Sequence, residues 1–210
     1  MKLLELFKGT GSVGKVAKKL GFSIVSVDLE KKFKPDININ ILDWDYKKYH
    51  KDTGYIPDFI WASPPCNTYS PLAYPLKERH TQTGEPYSER AKLGTKILYK
   101  TLEIIDYFLG LNPSLKYCIE NPRGMMRKDK YMKQLYREST LYCLYGDTKY
   151  KQTDFFSNFV MNLKEPKFKQ CDETKMKETQ LLKLEDKYRM PPKLIKQILT
   201  SYIETINDLL

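Results

Sequence analysis

The sequence predicts an α/β protein: a mostly parallel sheet with helices on both faces. Three observations carry this prediction. Short apolar runs alternate with helix-period segments from residue 2 to residue 121. Those runs end in glycine, proline or an acid, which stops each strand at a defined tip. The chain of 210 residues is long enough for one substantial domain.

Residues 2–7, KLLELF, are the first apolar run. KGTGSVG turns the chain, and KVAKKLG places Val16, Ala17 and Leu20 on one helical face with Lys15, Lys18 and Lys19 elsewhere. Gly21 ends that helix as a C′ residue. SIVSVD (23–28) is a second strand with Asp28 at its tip, so the opening is a βαβ unit. DININILDWD (36–45) reads as a short extended stretch, and PDFIWAS (57–63) as the next strand. Pro64 and Pro65 end it, because proline lacks the N–H and has a fixed φ. Cys66 therefore stands at a strand tip.

Residues 67–93 lack periodicity and read as a long loop, functional or mobile. A helix is expected from Lys96 to Leu111, with Leu98, Leu102, Ile105 and Leu109 on one face. KYCIEN (116–121) is another strand, closed by Pro122-Arg123-Gly124. Residues 129–137 suggest a short helix, and 139–146 and 153–159 two late strands. Residues 162–187 are lysine-rich and weakly patterned. Pro191 and Pro192 open a last helix carrying Leu194, Ile195, Ile198, Leu199, Ile203 and Ile206.

Composition narrows the function classes. No apolar run approaches a membrane span and no stretch reads as a signal peptide. The four cysteines, at 66, 118, 143 and 171, form no C-x-x-C pair, and there are two histidines, so no metal site is expected. The cysteines read as reduced and the setting as intracellular. A net charge of +10 suits a polyanionic partner, nucleic acid first, although a lysine-coated surface also serves solubility alone.

Ligands of such sheets bind at the carboxyl ends of the strands. Four groups fall there: the turn at 9–14, Asp28, Pro64-Pro65-Cys66, and Glu120-Asn121-Pro122. Gly9 and Gly11 let the backbone turn and approach a ligand closely, and Asp28 can accept from ribose hydroxyls. That pattern serves both nicotinamide dinucleotides and S-adenosylmethionine. A lone cysteine is usually a small buried hydrophobe, and a strand-end acid is usually solvated. Together at one sheet edge they make a chemical pair, a thiolate that attacks an electrophilic carbon and an acid that protonates the ring nitrogen gaining charge.

These residues resemble the DNA cytosine-C5 methyltransferases. ELFKGTGSVG resembles the first motif of that family, SVDLE the acid of the second, LDW the aspartate of the third, SPPCNTYS the Pro-Cys nucleophile motif and IENPRG the Glu-Asn motif. PPKLIKQILTSYI resembles the last helix, and YGDTKYKQTDFFSNF a segment of compact phage- and virus-type members. The resemblance implies a Rossmann-like class I methyltransferase fold with S-adenosylmethionine held by Phe7, Gly9, Thr10, Gly11, Asp28, Leu29, Asp43, Trp44, Ser63 and Pro65. It implies catalysis by Cys66, Glu120 and Asn121. Contacts to double-stranded DNA, with the target base flipped out, would fall on Pro64, Asn67, Ser70, Arg79, Arg90, Arg123, Lys149 and Lys151. A monomer is assumed, with no membrane partner, in the cytoplasm of a prokaryote or virus-infected host cell.

The expected organisation is a cofactor-binding catalytic core over 1–159, a lysine-rich segment over 160–187 in place of a full recognition domain, and a terminal helix within 188–210 that packs back on the core. So short a segment cannot build its own domain, which predicts low or short sequence specificity. Ser12 stands where many members have glycine, and no Gln-x-Arg-x-Arg segment is visible. The competing readings are a non-catalytic nucleic-acid binder on this fold, and the same chemistry on RNA. An adenine N6 methyltransferase would have an aromatic residue, not cysteine, after the prolines. An oxidoreductase would leave Pro-Pro-Cys and Glu-Asn-Pro unexplained.

Overall fold

The computed structural model describes residues 1–166 and 188–207, together with Cys171, Lys183 and Asp186. In chain order the elements are β1 (Lys2–Leu6), α1 (Ser12–Lys19), β2 (Ser23–Asp28), β3 (Ile37–Asn38), α2 (Tyr46–Thr53), β4 (Phe59–Ala62), α3 (Glu89–Leu111), β5 (Lys116–Pro122), β6 (Tyr136–Leu141), β7 (Gln152–Ser157) and α4 (Pro192–Asn207). The strands form one sheet in the order β3-β2-β1-β4-β5-β7-β6. β1 to β5 run parallel, and β7 pairs antiparallel with both β5 and β6. The order reverses between β1 and β4, which opens a crevice at their carboxyl ends.

Period-2 alternation builds the two faces. Leu4 and Leu6 of β1, Ile60 and Ala62 of β4, and Ile119 of β5 pack with Leu98, Ile105 and Phe108 of α3. The intervening Leu3, Phe59, Trp61 and Cys118 pack with Val13 and Ala17 of α1 and with Leu194, Ile195, Ile198 and Tyr202 of α4. The central strands are thus buried on both sides, which explains why they read as unbroken apolar runs.

Four expectations need correction. α3 begins at Glu89, two turns before Lys96; the Ser88 hydroxyl caps it by accepting from the Ala91 N–H. Its polar first turns, Glu89, Arg90 and Lys92, conceal the helix from a hydrophobic pattern. Residues 129–137 are not a helix: 3-10 turns occupy Met125–Lys128 and Met132–Gln134, and Tyr136 starts β6. Residues 142–145 are a 3-10 turn, not strand, because β6 loses its partner where β7 begins at Gln152, opposite Leu141. Finally, Cys143 and Cys171 form a disulfide, with Cα atoms 6.2 Å apart, so only Cys66 and Cys118 are free thiols. Proximity of two cysteines 28 residues apart is a property of the fold, invisible in their spacing.

Candidate active site

The turn after β1 needs three positive φ angles, at Phe7 (62°), Gly9 (49°) and Gly11 (69°). Glycine takes this region freely, whereas phenylalanine takes it at a cost. Phe7 is held there by tertiary bonds: its N–H and that of Lys8 both donate to the Val27 carbonyl, at 2.9 and 3.2 Å. The Gly9 N–H donates to Asp28 Oδ2 at 2.8 Å, and the Glu30 N–H to Oδ1 at 2.7 Å. Each carboxylate oxygen keeps a second lone pair for a ligand. Gly11 caps α1 without a side chain, and the Thr10 and Ser12 hydroxyls lie 2.9 Å apart beside it. Leu29 projects at the rim with 64% of its surface exposed.

The remaining residues expected around a cofactor divide. Asp43 is exposed and Ser63 partly buried, its hydroxyl accepting from Trp61 Nε1. Trp44, however, is core: it is buried and packs against the rings of Tyr46 and Tyr49.

Pro64 is buried, Pro65 exposed and Cys66 partly buried. Behind the prolines the chain closes a tight turn, with the Tyr69 and Ser70 N–H groups both donating to the Cys66 carbonyl at 3.0 Å. Two clamps tie this turn to the end of β5. Asn121 Nδ2 donates to the Pro64 carbonyl at 3.0 Å, and the Met125 N–H donates to the Tyr69 carbonyl at 2.7 Å. Gly124 makes the second clamp possible, since a Cβ there would stand 2.1 Å from the Tyr69 oxygen. β4 and β5 are neighbours, with Ala62 opposite Ile119. Cys66 and Glu120 are thereby brought to adjacent strand tips.

Glu120 is buried on the α1 and α4 face. Its Oε1 accepts from the Tyr142 hydroxyl at 3.2 Å and faces Lys151 Nζ at 3.5 Å. Burial pushes the Cys66 thiol above its ordinary value; the Lys151 cation pulls it down and the Glu120 carboxylate pushes it up. The thiol, the acid and Lys151 therefore form one electrostatic unit.

The basic residues expected on DNA do not share one fate. Asn67 and Arg123 are exposed and Ser70 partly so. Arg79 is 5% exposed and used internally. Its guanidinium lies 3.7 Å over the Tyr69 ring and donates to Thr68 Oγ1, Thr95 Oγ1 and the carbonyls of Gly84 and Ala91. It pins the loop and has no donor left for a phosphate. Arg90 grips the Glu78 carboxylate through Nε and Nη2. Lys149 is 2% exposed, with its ammonium on the carbonyls of Asp186 and Arg189 and beside Asp147. Lys151 is the one of the pair that reaches the Cys66–Glu120 edge. Sequence reasoning missed Tyr142 altogether, because a tyrosine inside STLYCLYG carries no signal of its target. Among the described residues no group of three histidines, cysteines or acids could hold a metal ion, and no helix is long and apolar enough to cross a membrane.

A glycine-turn cradle ending on an acid, beside a strand-tip thiol and a buried carboxyl, on this strand order, defines a protein of the Rossmann-like methyltransferase class. The chain is 36% identical over 155 residues to the "Probable DNA (cytosine-5)-methyltransferase" of Frog virus 3 (isolate Goorha), a match covering 72% of this chain and 67% of that protein. It belongs to the DNA (cytosine-5)-methyltransferase family. In fold it is similar to the S. pombe Dnmt2 methyltransferase (TM-score 0.53, 14% identity, 88% of this chain and 61% of that one). It is also similar to a candidate DNA modification methyltransferase encoded within an E. coli prophage (TM-score 0.52, 14% identity, 82% of this chain and 52% of that one). The chain thus spans between half and two thirds of these solved proteins. No family model matches it.

Proposed function

We propose that the protein methylates C5 of cytosine in double-stranded DNA through a covalent bond between Cys66 and C6. The observation that carries this reading is the double clamp, Asn121 to Pro64 and Met125 to Tyr69, which holds a thiol and a carboxyl on adjacent strand tips. A protein that only bound nucleic acid would have no use for that pair.

S-adenosylmethionine, when bound, supplies the electrophilic methyl group. The residues present suit it: the Asp28 carboxylate for ribose hydroxyls, exposed Leu29 for an apolar ring face, and the uncapped N-terminus of α1 for a carboxylate. The Cys66 thiolate adds to C6, and the C5–C6 electron pair moves to C5. Glu120 donates its proton toward N3, which offsets the charge arriving on the ring. C5 would then be the carbon nucleophile that takes the methyl, the methyl–sulfur bond of bound S-adenosylmethionine breaking to leave the neutral thioether. Loss of the C5 proton to a base returns an electron pair to the C5–C6 bond and expels the thiolate, and N3 returns its proton to Glu120. Lys151 favours the thiolate in a pocket whose burial opposes it.

The target base must leave the duplex to reach this edge. The net charge of +10 supplies phosphate affinity, and the short segment at 160–187 leaves little surface for reading bases, so specificity is low or the site short. Binding then weakens steeply with salt. The protein acts as a monomer inside the cell that holds the DNA.

Duplex DNA containing 5-fluorocytosine, incubated with the protein and S-adenosylmethionine, tests the mechanism. Fluorine cannot leave as the proton does, so an adduct on Cys66 is expected by mass spectrometry. Cys66→Ser should give none and should lose nearly all turnover. An active Cys66→Ser protein would refute the mechanism, and an adduct with RNA alone would move the substrate.

A further inference from the structure

Two donors converge on a single oxygen of Glu120. The Tyr142 hydroxyl donates to Oε1 at 3.2 Å, and Lys151 Nζ lies 3.5 Å from the same atom. Among the described residues none donates to Oε2. Tyr142 is fully buried in the 3-10 turn Tyr142–Tyr145 after β6, and both Lys149 and Lys151 stand over its ring, 5.4 and 5.0 Å from the centroid. Any buried tyrosine hydroxyl seeks a partner; the informative point is which oxygen this one takes.

An acid carries its proton on one oxygen only. Lys151 has no lone pair to receive a proton, and the Tyr142 hydroxyl, which could donate or accept, donates to the oxygen that Lys151 keeps bare. An oxygen facing both is therefore the one that stays bare. We infer that Tyr142 is a positioning residue for the general acid: with Lys151 it keeps Oε1 unprotonated and directs the Glu120 proton to Oε2, the oxygen left for the pyrimidine N3. This inference rests on the role proposed for Glu120 above. Without the Tyr142 hydroxyl the two oxygens become more nearly equivalent, and the carboxyl spends part of its time with the proton aimed away from the base.

Tyr142→Phe removes one oxygen and keeps the ring. Its kcat for cytosine methylation should fall about tenfold, the upper scale of one hydrogen bond, with KM for DNA within about twofold of wild type. In a Glu120→Gln background the same substitution should cost nothing further, because the two residues act as a unit. Tyr145→Phe is the control, since its hydroxyl accepts from the Lys164 N–H instead, and it should leave kcat unchanged. An unchanged kcat in Tyr142→Phe, or full additivity with Glu120→Gln, would overturn the inference.

A second readout needs neither turnover nor a folded Tyr142 variant. In the wild-type protein the buried Tyr142 hydroxyl proton should give a slowly exchanging NMR resonance that moves when Glu120→Gln is introduced. A resonance that stays in place overturns the inference. Wild-type protein that methylates no cytosine in DNA would instead sink the proposed function, and the hydroxyl proton would still decide whether Tyr142 serves Glu120.

Discussion

Glu5 should make the protein less stable as pH rises from mildly acidic to neutral. It lies on β1 in the layer shared with α1, 2% exposed, and its Oε2 has no hydrogen-bond partner among the described residues. Burial is the dominant cause that pushes its carboxyl up to about 7 from an ordinary 4.5, with the Gly14 N–H and Lys8 opposing it. A Cβ at Gly14 would stand 2.8 Å from Oε2, so the backbone of α1 is pressed against this carboxyl. Between the two values the folded protein holds a proton that the unfolded chain has released. Stability is then fully present below the unfolded value and is lost as pH climbs through the folded one. At about 1.4 kcal/mol per pH unit the window amounts to about 3 kcal/mol. Glu5→Gln abolishes that titration and leaves the other groups in place. Urea unfolding of both proteins at about pH 4 to pH 8 should show the variant gaining about 3 kcal/mol relative to wild type over the range. A difference constant with pH would refute the reasoning, because no buried proton would then be linked to folding at this site.

Other outcomes follow from the clamps and the cysteines. Gly124→Ala drives a Cβ into the Tyr69 carbonyl; it should cost about 2–3 kcal/mol or displace the turn carrying Cys66, read as a lower rate of adduct formation. Arg79→Lys keeps the charge but not the planar fork, so limited proteolysis should cut faster within residues 67–88; an unchanged cutting rate would contradict the pinning role. Alkylation of the native oxidised protein should label Cys66 and spare Cys118, which is fully buried, and reduction should add Cys143 and Cys171. Labelling of all three before reduction would show that the bridge does not form.

The parts of the fold legible in the sequence were those where backbone chemistry is local. Strands doubly buried in a parallel sheet announce themselves as apolar runs, and glycine or proline at each tip shows where the chain leaves the sheet. The four tips that carry the site were visible for that reason, and so was the resemblance of their residues to one family. What stayed hidden depends on contacts across the chain. The first turns of α3 are polar because they face solvent except at Ala91. Arg79 looked like a phosphate ligand because an arginine in a loop usually meets water; only the folded loop shows it stacked over Tyr69. Lys149 misled for the same reason, and a motif match does not tell that the Trp44 indole packs against Tyr46 and Tyr49. Tyr142 and Glu120 are 22 residues apart and meet through an antiparallel pairing of β5 with β7 that no periodicity announces.

The adjacency of β4 and β5 has a consequence for how such a protein can change. Parallel neighbours sit about 4.8 Å apart whatever their side chains, so the sheet acts as a ruler between the tips that carry Cys66 and Glu120. The spacing of the two tips is set by the main chain and two clamps, all within residues 59–125. Segments outside that interval can vary without altering the spacing of those two tips. The distance between thiol and carboxyl is thus a property of the backbone, insulated from drift in the side chains around it.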